Sequence, residues 1–174
     1  GVLTITEALL GARLVLAGLV GANASIERAF TMTVHLINSL LLVGSLVLLY
    51  DWAKERKYKV VVFKHKPPYY YLGMFSIFLI IACSGGIAAL STTLFPSESL
   101  LAGFLADFSK SSHFLVRIRV SHPLTATLLG SVLIFSTYLL LKRSKDDGLK
   151  FRLVTLMTLV TTGIGIGYST LFLL

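Results

Sequence analysis

Long apolar runs, interrupted only by short polar segments, limit what this chain can fold into. A helix crossing a bilayer needs roughly 20 mostly apolar residues. Lipid offers the backbone no hydrogen-bond partners, so such a run must be helical or part of a closed barrel. Five stretches have this character: residues 3–20, 29–50, 69–94, 114–141 and 153–174. In a chain of 174 residues they leave no room for a soluble domain. The expected fold is all-α, a polytopic transmembrane bundle with five spans. The sequence opens on Gly1 and enters an apolar run almost at once, so it reads as part of a longer protein. Glu7 and Arg13 lie inside the first run and no basic segment precedes it, which argues against a signal peptide.

The net charge of +8 would suit a nucleic-acid partner if it formed one basic face. Its distribution excludes that reading. Lys54, Arg56, Lys57, Lys59, Lys64 and Lys66 fill one loop, and Lys142, Arg143, Lys145, Lys150 and Arg152 surround another. Both loops fall on one side of a five-span topology. Cations concentrated there mark the cytoplasmic side, and some are expected to touch anionic lipid headgroups. The localisation implied is an integral membrane protein, with the bacterial cytoplasmic membrane as the expected host. The single cysteine, Cys83, lies in an apolar run and cannot form an intrachain disulfide.

With the basic loops inside, the outer side carries a short loop after the first span and a longer segment, residues 95–113. Within that segment Leu101, Phe104, Leu105 and Phe108 share one helical face. The spacing predicts either an amphipathic helix at the membrane interface or a loop packed over the bundle. Tyr69-Tyr70-Tyr71 is placed to anchor a span at headgroup level. Asp146-Asp147-Gly148 predicts a tight turn, and the Gly163–Gly167 spacing predicts close helix packing.

Two histidines lie inside the spans. His35 and His122 each sit about eight or nine residues in from the outer side, ~12–14 Å deep at ~1.5 Å per residue. An ionisable group in hydrocarbon is costly and is a functional candidate by default. Imidazole is a common axial ligand of haem iron, and two at matched depth favour haem over a pair of interhelical hydrogen bonds. They are 87 residues apart, and aligning them also superposes Leu41-Leu42 on Leu128-Leu129, a weak sign of internal duplication. One haem shared by both and two separate haems are equally compatible with the spacing.

Arg117 and Arg119 lie towards the outer interface beside His122, where haem propionates would point. His113, at the outer mouth, is a further candidate for a propionate contact or a proton shuttle. Asn38 and Thr31 each lie one turn from His35 and are candidate partners for its second ring nitrogen. Glu7 and Arg13 do not share a helix face, so each needs a partner from elsewhere. Pro123 directly follows His122 and either kinks a span or opens a helix. There is no readable carboxylate pair, serine–histidine–acid set or zinc cluster, so catalytic side chains are unknown and any chemistry belongs to a cofactor.

Two stretches carry a family resemblance. One runs from Gly85-Gly-Ile-Ala-Ala-Leu-Ser-Thr-Thr-Leu-Phe-Pro96 on to Asp107-Phe-Ser-Lys-Ser-Ser-His-Phe-Leu-Val-Arg-Ile-Arg-Val-Ser-His-Pro123. The other is Glu7-Ala-Leu-Leu-Gly-Ala-Arg13 followed by Val34-His-Leu-Ile-Asn-Ser39. Together they resemble the haem A synthase family. The resemblance implies two fused four-helix bundles with eight spans, each holding a haem between histidines of its second and fourth helices. The five spans here correspond to the third to the seventh. Residues 1–66 would close the first bundle and residues 67–174 open the second.

On that reading His35 and His122 are iron ligands of different bundles. The cofactor implied is haem b, with haem O as substrate and haem A as product. The implied reaction oxidises the C8 methyl of haem O to a formyl group. The family's first, second and eighth spans lie outside this sequence, and with them the partner histidines and an outer glutamate. The alternatives are a b-type membrane cytochrome without synthase activity and a structural subunit of a larger complex. The implied partners are membrane lipid and haem, with a homo-oligomer or larger membrane complex left open.

Overall fold

The computed structural model describes residues 1–55 and 68–173 of the chain. The regular elements among them are helices: α1 (Val2–Leu16), α2 (Ile26–Glu55), α3 (Pro68–Leu94), α4 (Leu100–Phe108), α5 (Phe114–Arg119), α6 (Ser121–Arg143) and α7 (Asp147–Leu173). Four segments are long and apolar enough to cross a membrane: Ile26–Lys54, Tyr69–Leu94, Phe114–Arg143 and Asp147–Ser169.

The first of the five expected spans is shorter than the apolar run that suggested it. α1 has 15 residues, ~22 Å of helix against a hydrocarbon core of roughly 30 Å. Gly18 stops it, at φ 63°. The Gly18 amide donates to the Val15 carbonyl (3.1 Å) and the Leu19 amide to that of Leu14 (2.8 Å). This paired pattern around a left-handed glycine ends a helix by satisfying its last carbonyls. It also folds Leu19 inward, where it is 3% exposed.

α3 is the centre of the arrangement. α2 packs on one part of its surface and α5 and α6 on another; α1 lies on α2, and α7 on α6. Large apolar residues face outward, among them Leu48, Phe135 and Leu159, as expected where lipid rather than water is the solvent. The small buried core of Ala29, Leu90 and Leu115, joined by Ile87, Leu94, Phe95 and Phe114, ties α2, α3 and α5 together.

The expected fourth span is two helices. α5 and α6 meet at Val120, which closes one and opens the other. Pro123 stands in the first turn of α6, where its missing N–H would have no intrahelical acceptor in any case. The predicted tight turn at 146–148 is instead a helix start, with Asp146 Oδ1 accepting from the Leu149 amide at 2.8 Å. Close packing of α6 and α7 occurs at Gly130, where a Cβ would come within 2.8 Å of Ile164 Cδ1; Gly163 faces open space.

Of the two alternatives for the outer segment, the helix is the one formed: α4 is started by Ser99, whose side chain accepts from the Ala102 amide (3.2 Å). Its apolar residues Leu101, Phe104, Leu105 and Phe108 are all exposed, while Gly103 is buried towards the bundle. The apolar face therefore points away from the helices, as an interfacial helix requires.

Most of the first basic loop, from Arg56 to Lys66, lies outside the described residues. Its helical stem does not: Asp51 on α2 pairs with Arg152 on α7 at 2.6 Å. The end of α2 and the start of α7 are thus on one side, as the charge pattern demands. In a background with Cys83 replaced by serine, cysteines introduced at positions 57 and 146 should resist a membrane-impermeant thiol reagent in intact cells. One at position 110 should react. The reverse pattern would invert the orientation.

Candidate functional site

His122 is held from both sides by α3. It lies in the first turn of α6, and its Nδ1 is 3.0 Å from Ser84 Oγ. The same hydroxyl is 2.9 Å from Thr125 Oγ1. Next to Ser84, Gly85 leaves room for the ring: a Cβ there would lie 3.0 Å from Cε1 and 3.4 Å from Nε2 of His122. The hydroxyl engages Nδ1, and Nε2 makes no hydrogen bond among the described residues. A ring tethered at one nitrogen with the other available is the usual form of a metal-binding histidine.

His35 lies on α2 and faces a groove of about 450 Å³ between α1, α2 and α3, lined by Leu14, Arg28, His35, Leu36, Gly86 and Leu90 among others. That volume is in the range of small-ligand and cofactor sites. His35 Nδ1 is enclosed without a hydrogen bond. The nearest charged group is Glu7, whose Oε2 is 3.5 Å away, too long for a hydrogen bond.

Asn38, the partner expected for His35 from its place on the same face, does not serve it. Its amide donates to Glu7 Oε2 (2.6 Å) and to the Leu3 carbonyl (3.0 Å), and its Oδ1 accepts from Thr6 (2.7 Å). Ser39 also donates to Glu7. Thr31, the other candidate, is buried with its hydroxyl unpartnered. Arg13 finds its partner in Glu27, at 3.0 Å and largely exposed, where such pairs contribute little.

α2 and α6 meet α3 at neighbouring positions. Gly85 meets His122 on α6, and its neighbour Gly86 takes Leu36 of α2, whose Cδ2 would be 3.2 Å from an added Cβ. Consecutive helical residues point about 100° apart. Two adjacent glycines therefore let two helices approach α3 on different sides, one bearing each histidine.

The cations divide sharply. Arg119 is held in a largely shielded ion pair with Asp107 of α4, Nε to Oδ1 at 2.5 Å. It also donates to the Phe95 carbonyl (3.3 Å), Ser97 Oγ (3.2 Å) and the Gly103 carbonyl (3.0 Å). Four of its five N–H donors are thereby committed to the protein. Arg117 is exposed and has no ion pair among the described residues.

His113 caps α5, its Nδ1 accepting from the Leu115 amide at 3.3 Å. Its ring stacks on Phe95 at 4.9 Å, so it is packed rather than free in solvent. Arg28 was not among the residues singled out from sequence. It stands two turns before His35 on the same face and lines the same groove. It donates to the Gly21 and Asn23 carbonyls at 2.6 and 2.7 Å, and its Nε is enclosed without a partner.

The family model described as COX15-CtaA, cytochrome oxidase assembly protein, matches residues 1–174. The chain belongs to this family, the family of haem A synthase. Membership in COX15-CtaA fits a chain of long apolar helices, and it ties the protein to cytochrome oxidase assembly. Two curated relatives, from two strains of Thermus thermophilus, carry the name protohaem IX farnesyltransferase. Each is 37% identical over 141 residues, which is 78% of this chain and 22% of the relative. The chain thus spans about a fifth of the length of these curated relatives. No solved structure matches it.

Proposed function

We propose that this chain is the haem-binding middle of a haem A synthase, a membrane enzyme that oxidises the C8 methyl of haem O to the formyl group of haem A. The observation that carries the reading is the pair of histidines. A glycine gives each ring room, Gly85 of α3 for His122 and Gly11 of α1 for His35, and neither Nε2 has a hydrogen-bond partner among the described residues. The donor set fits haem: imidazole nitrogen for iron, a groove at His35, and arginine for carboxylates.

In this reading His35 closes a first bundle formed by residues 1–66 with preceding spans. His122 opens a second bundle formed by residues 67–174 with a following span. Bound haem b supplies the electron-transfer and oxidising chemistry. The chain's own residues position and enclose it. Ser84 holds the His122 ring by its Nδ1. Arg28 lines the His35 groove, and Arg117 is an exposed arginine on the His122 side without an ion pair among the described residues. Arg119, already committed to its own partners, holds α4 in place over the outer end. Basic loops on the cytoplasmic side put this outer end away from the cytoplasm.

The full-length protein, produced in a host that makes haem O, tests the reading. Extracted haems should contain haem A, identified by chromatography and mass. Retention of haem b with haem O unconverted would instead assign the protein to electron transfer alone. A second reading is prompted by the name of the Thermus relatives. We assign their farnesyl transfer to the larger part of those chains that this one does not match. Formation of farnesylated haem from protohaem and farnesyl diphosphate by the purified protein would overturn that assignment.

A further inference from the structure

Glu7 is a carboxylate at the α1–α2 contact, and the haem-binding reading gives it no task. Its surroundings are built to hold it. Asn38 donates to Oε2 at 2.6 Å and is itself fixed by the Leu3 carbonyl and Thr6. Ser39 donates to Oε1. These donors leave Oε2 facing His35 Nδ1 at 3.5 Å, and that nitrogen is enclosed with no other partner. Gly11, one turn along α1, lets the helix lie against the ring, with an added Cβ only 3.7 Å from Cε1.

We propose that Glu7 is the positioning residue of His35: its Oε2 accepts the Nδ1–H when Nε2 is engaged by iron. This rests on the reading of His35 as a haem ligand. A rotation of the ring that shortens the contact by about 0.6 Å makes it an ordinary charge-assisted hydrogen bond. The acceptor fixes the tautomer with the lone pair on Nε2 and makes the imidazole a stronger donor. A carboxylate in this place also favours the more positive, oxidised iron.

His122 differs in kind, because its Nδ1 meets the neutral hydroxyl of Ser84 at 3.0 Å. The two histidines therefore tune their sites unequally. The His35 haem is the one with the lower potential contribution from its outer partner.

The test is a spectroelectrochemical titration of the full-length, haem-loaded protein and three variants. Glu7→Gln keeps the shape and one acceptor oxygen but removes the charge. Its preference for oxidised over reduced haem at the His35 site should weaken about tenfold, an upward shift of ~59 mV for one electron. The other haem should not move. Ser39→Ala removes a helix–helix hydrogen bond of Glu7 while keeping the carboxylate, and should leave both potentials unchanged. If Ser39→Ala shifts the potential as much as Glu7→Gln does, or if Glu7→Gln shifts neither haem, the assignment of Glu7 is overturned. His35→Ala separates that failure from failure of the underlying reading. Loss of one haem signal in His35→Ala retains the ligand assignment, and no loss removes it.

Discussion

Arg119→Ala should destabilise the protein by about 3–5 kcal/mol, the usual cost of breaking a buried ion pair by removing one partner. The pair is largely shielded from solvent, the Arg119 and Asp107 side chains being 11% and 12% exposed. The substitution leaves the Asp107 carboxylate without its cation and releases the Phe95 and Gly103 carbonyls. Those acceptors lie at the end of α3 and in α4, so the loss falls on the outer segment 95–113. Thermal unfolding in detergent should report the lower stability, and limited proteolysis should cut within that segment. Arg119→Lys should recover only part of the loss, because an ammonium cannot reproduce the guanidinium's planar fork of donors. Arg117→Ala is the comparison, expected within about 0.5 kcal/mol as an exposed substitution. Equal behaviour of Arg117→Ala and Arg119→Ala would contradict the geometry of this clamp.

Gly85→Ala should separate stability from the site. Alanine in a helix is favoured over glycine by ~1 kcal/mol, so α3 should not weaken through propensity. The new Cβ would lie 3.0 Å from His122 Cε1, closer than carbon atoms pack comfortably. The ring must move, and the Ser84 contact to Nδ1 moves with it. Haem held through His122 should therefore be lost or altered while haem held through His35 is kept. Gly85→Val should abolish the His122 site outright, since its branches occupy the same space. The readout is the visible spectrum and iron content of the purified protein, with helix content as the control. Unchanged spectra in both variants would mean that His122 does not need this position.

Much of the architecture was legible because hydrophobic runs report on lipid exposure directly. The four long spans and the shared side of the two basic ends follow from local composition, and the outer apolar face was visible, though helix and packed loop stayed open there. What misled was local backbone chemistry inside an apolar run. Gly18 ends α1 while the sequence continues apolar to Val20, so hydropathy alone overran the helix. Val120 divides α5 from α6 for a related reason: the break and Pro123 lie within a run that hydropathy reads as one span.

The candidate histidines were legible in the sequence, and the groups around them less so. His35 and His122 stand out because charge in hydrocarbon is rare. Ser84 does not, since a serine in an apolar helix carries no signal until α6 is laid beside it. Glu7 was visibly in need of a partner, but the sequence could not say that Asn38, Ser39 and His35 surround it. Arg28 did carry a signal. It is seven residues before His35, two helical turns along the same face. Arg119 was closer in sequence to its histidine, yet its partners across the outer segment claim it.

The most direct measurement is the visible spectrum, with iron stoichiometry, of His35→Ala and His122→Ala in the full-length haem-loaded protein. Two separate sites on different sides of α3 predict that each substitution removes one haem signal and leaves the other largely intact. Loss of the same single signal in both variants would mean one shared haem and contradict the two-site account. Unchanged spectra in both would return the two imidazoles to a purely structural role.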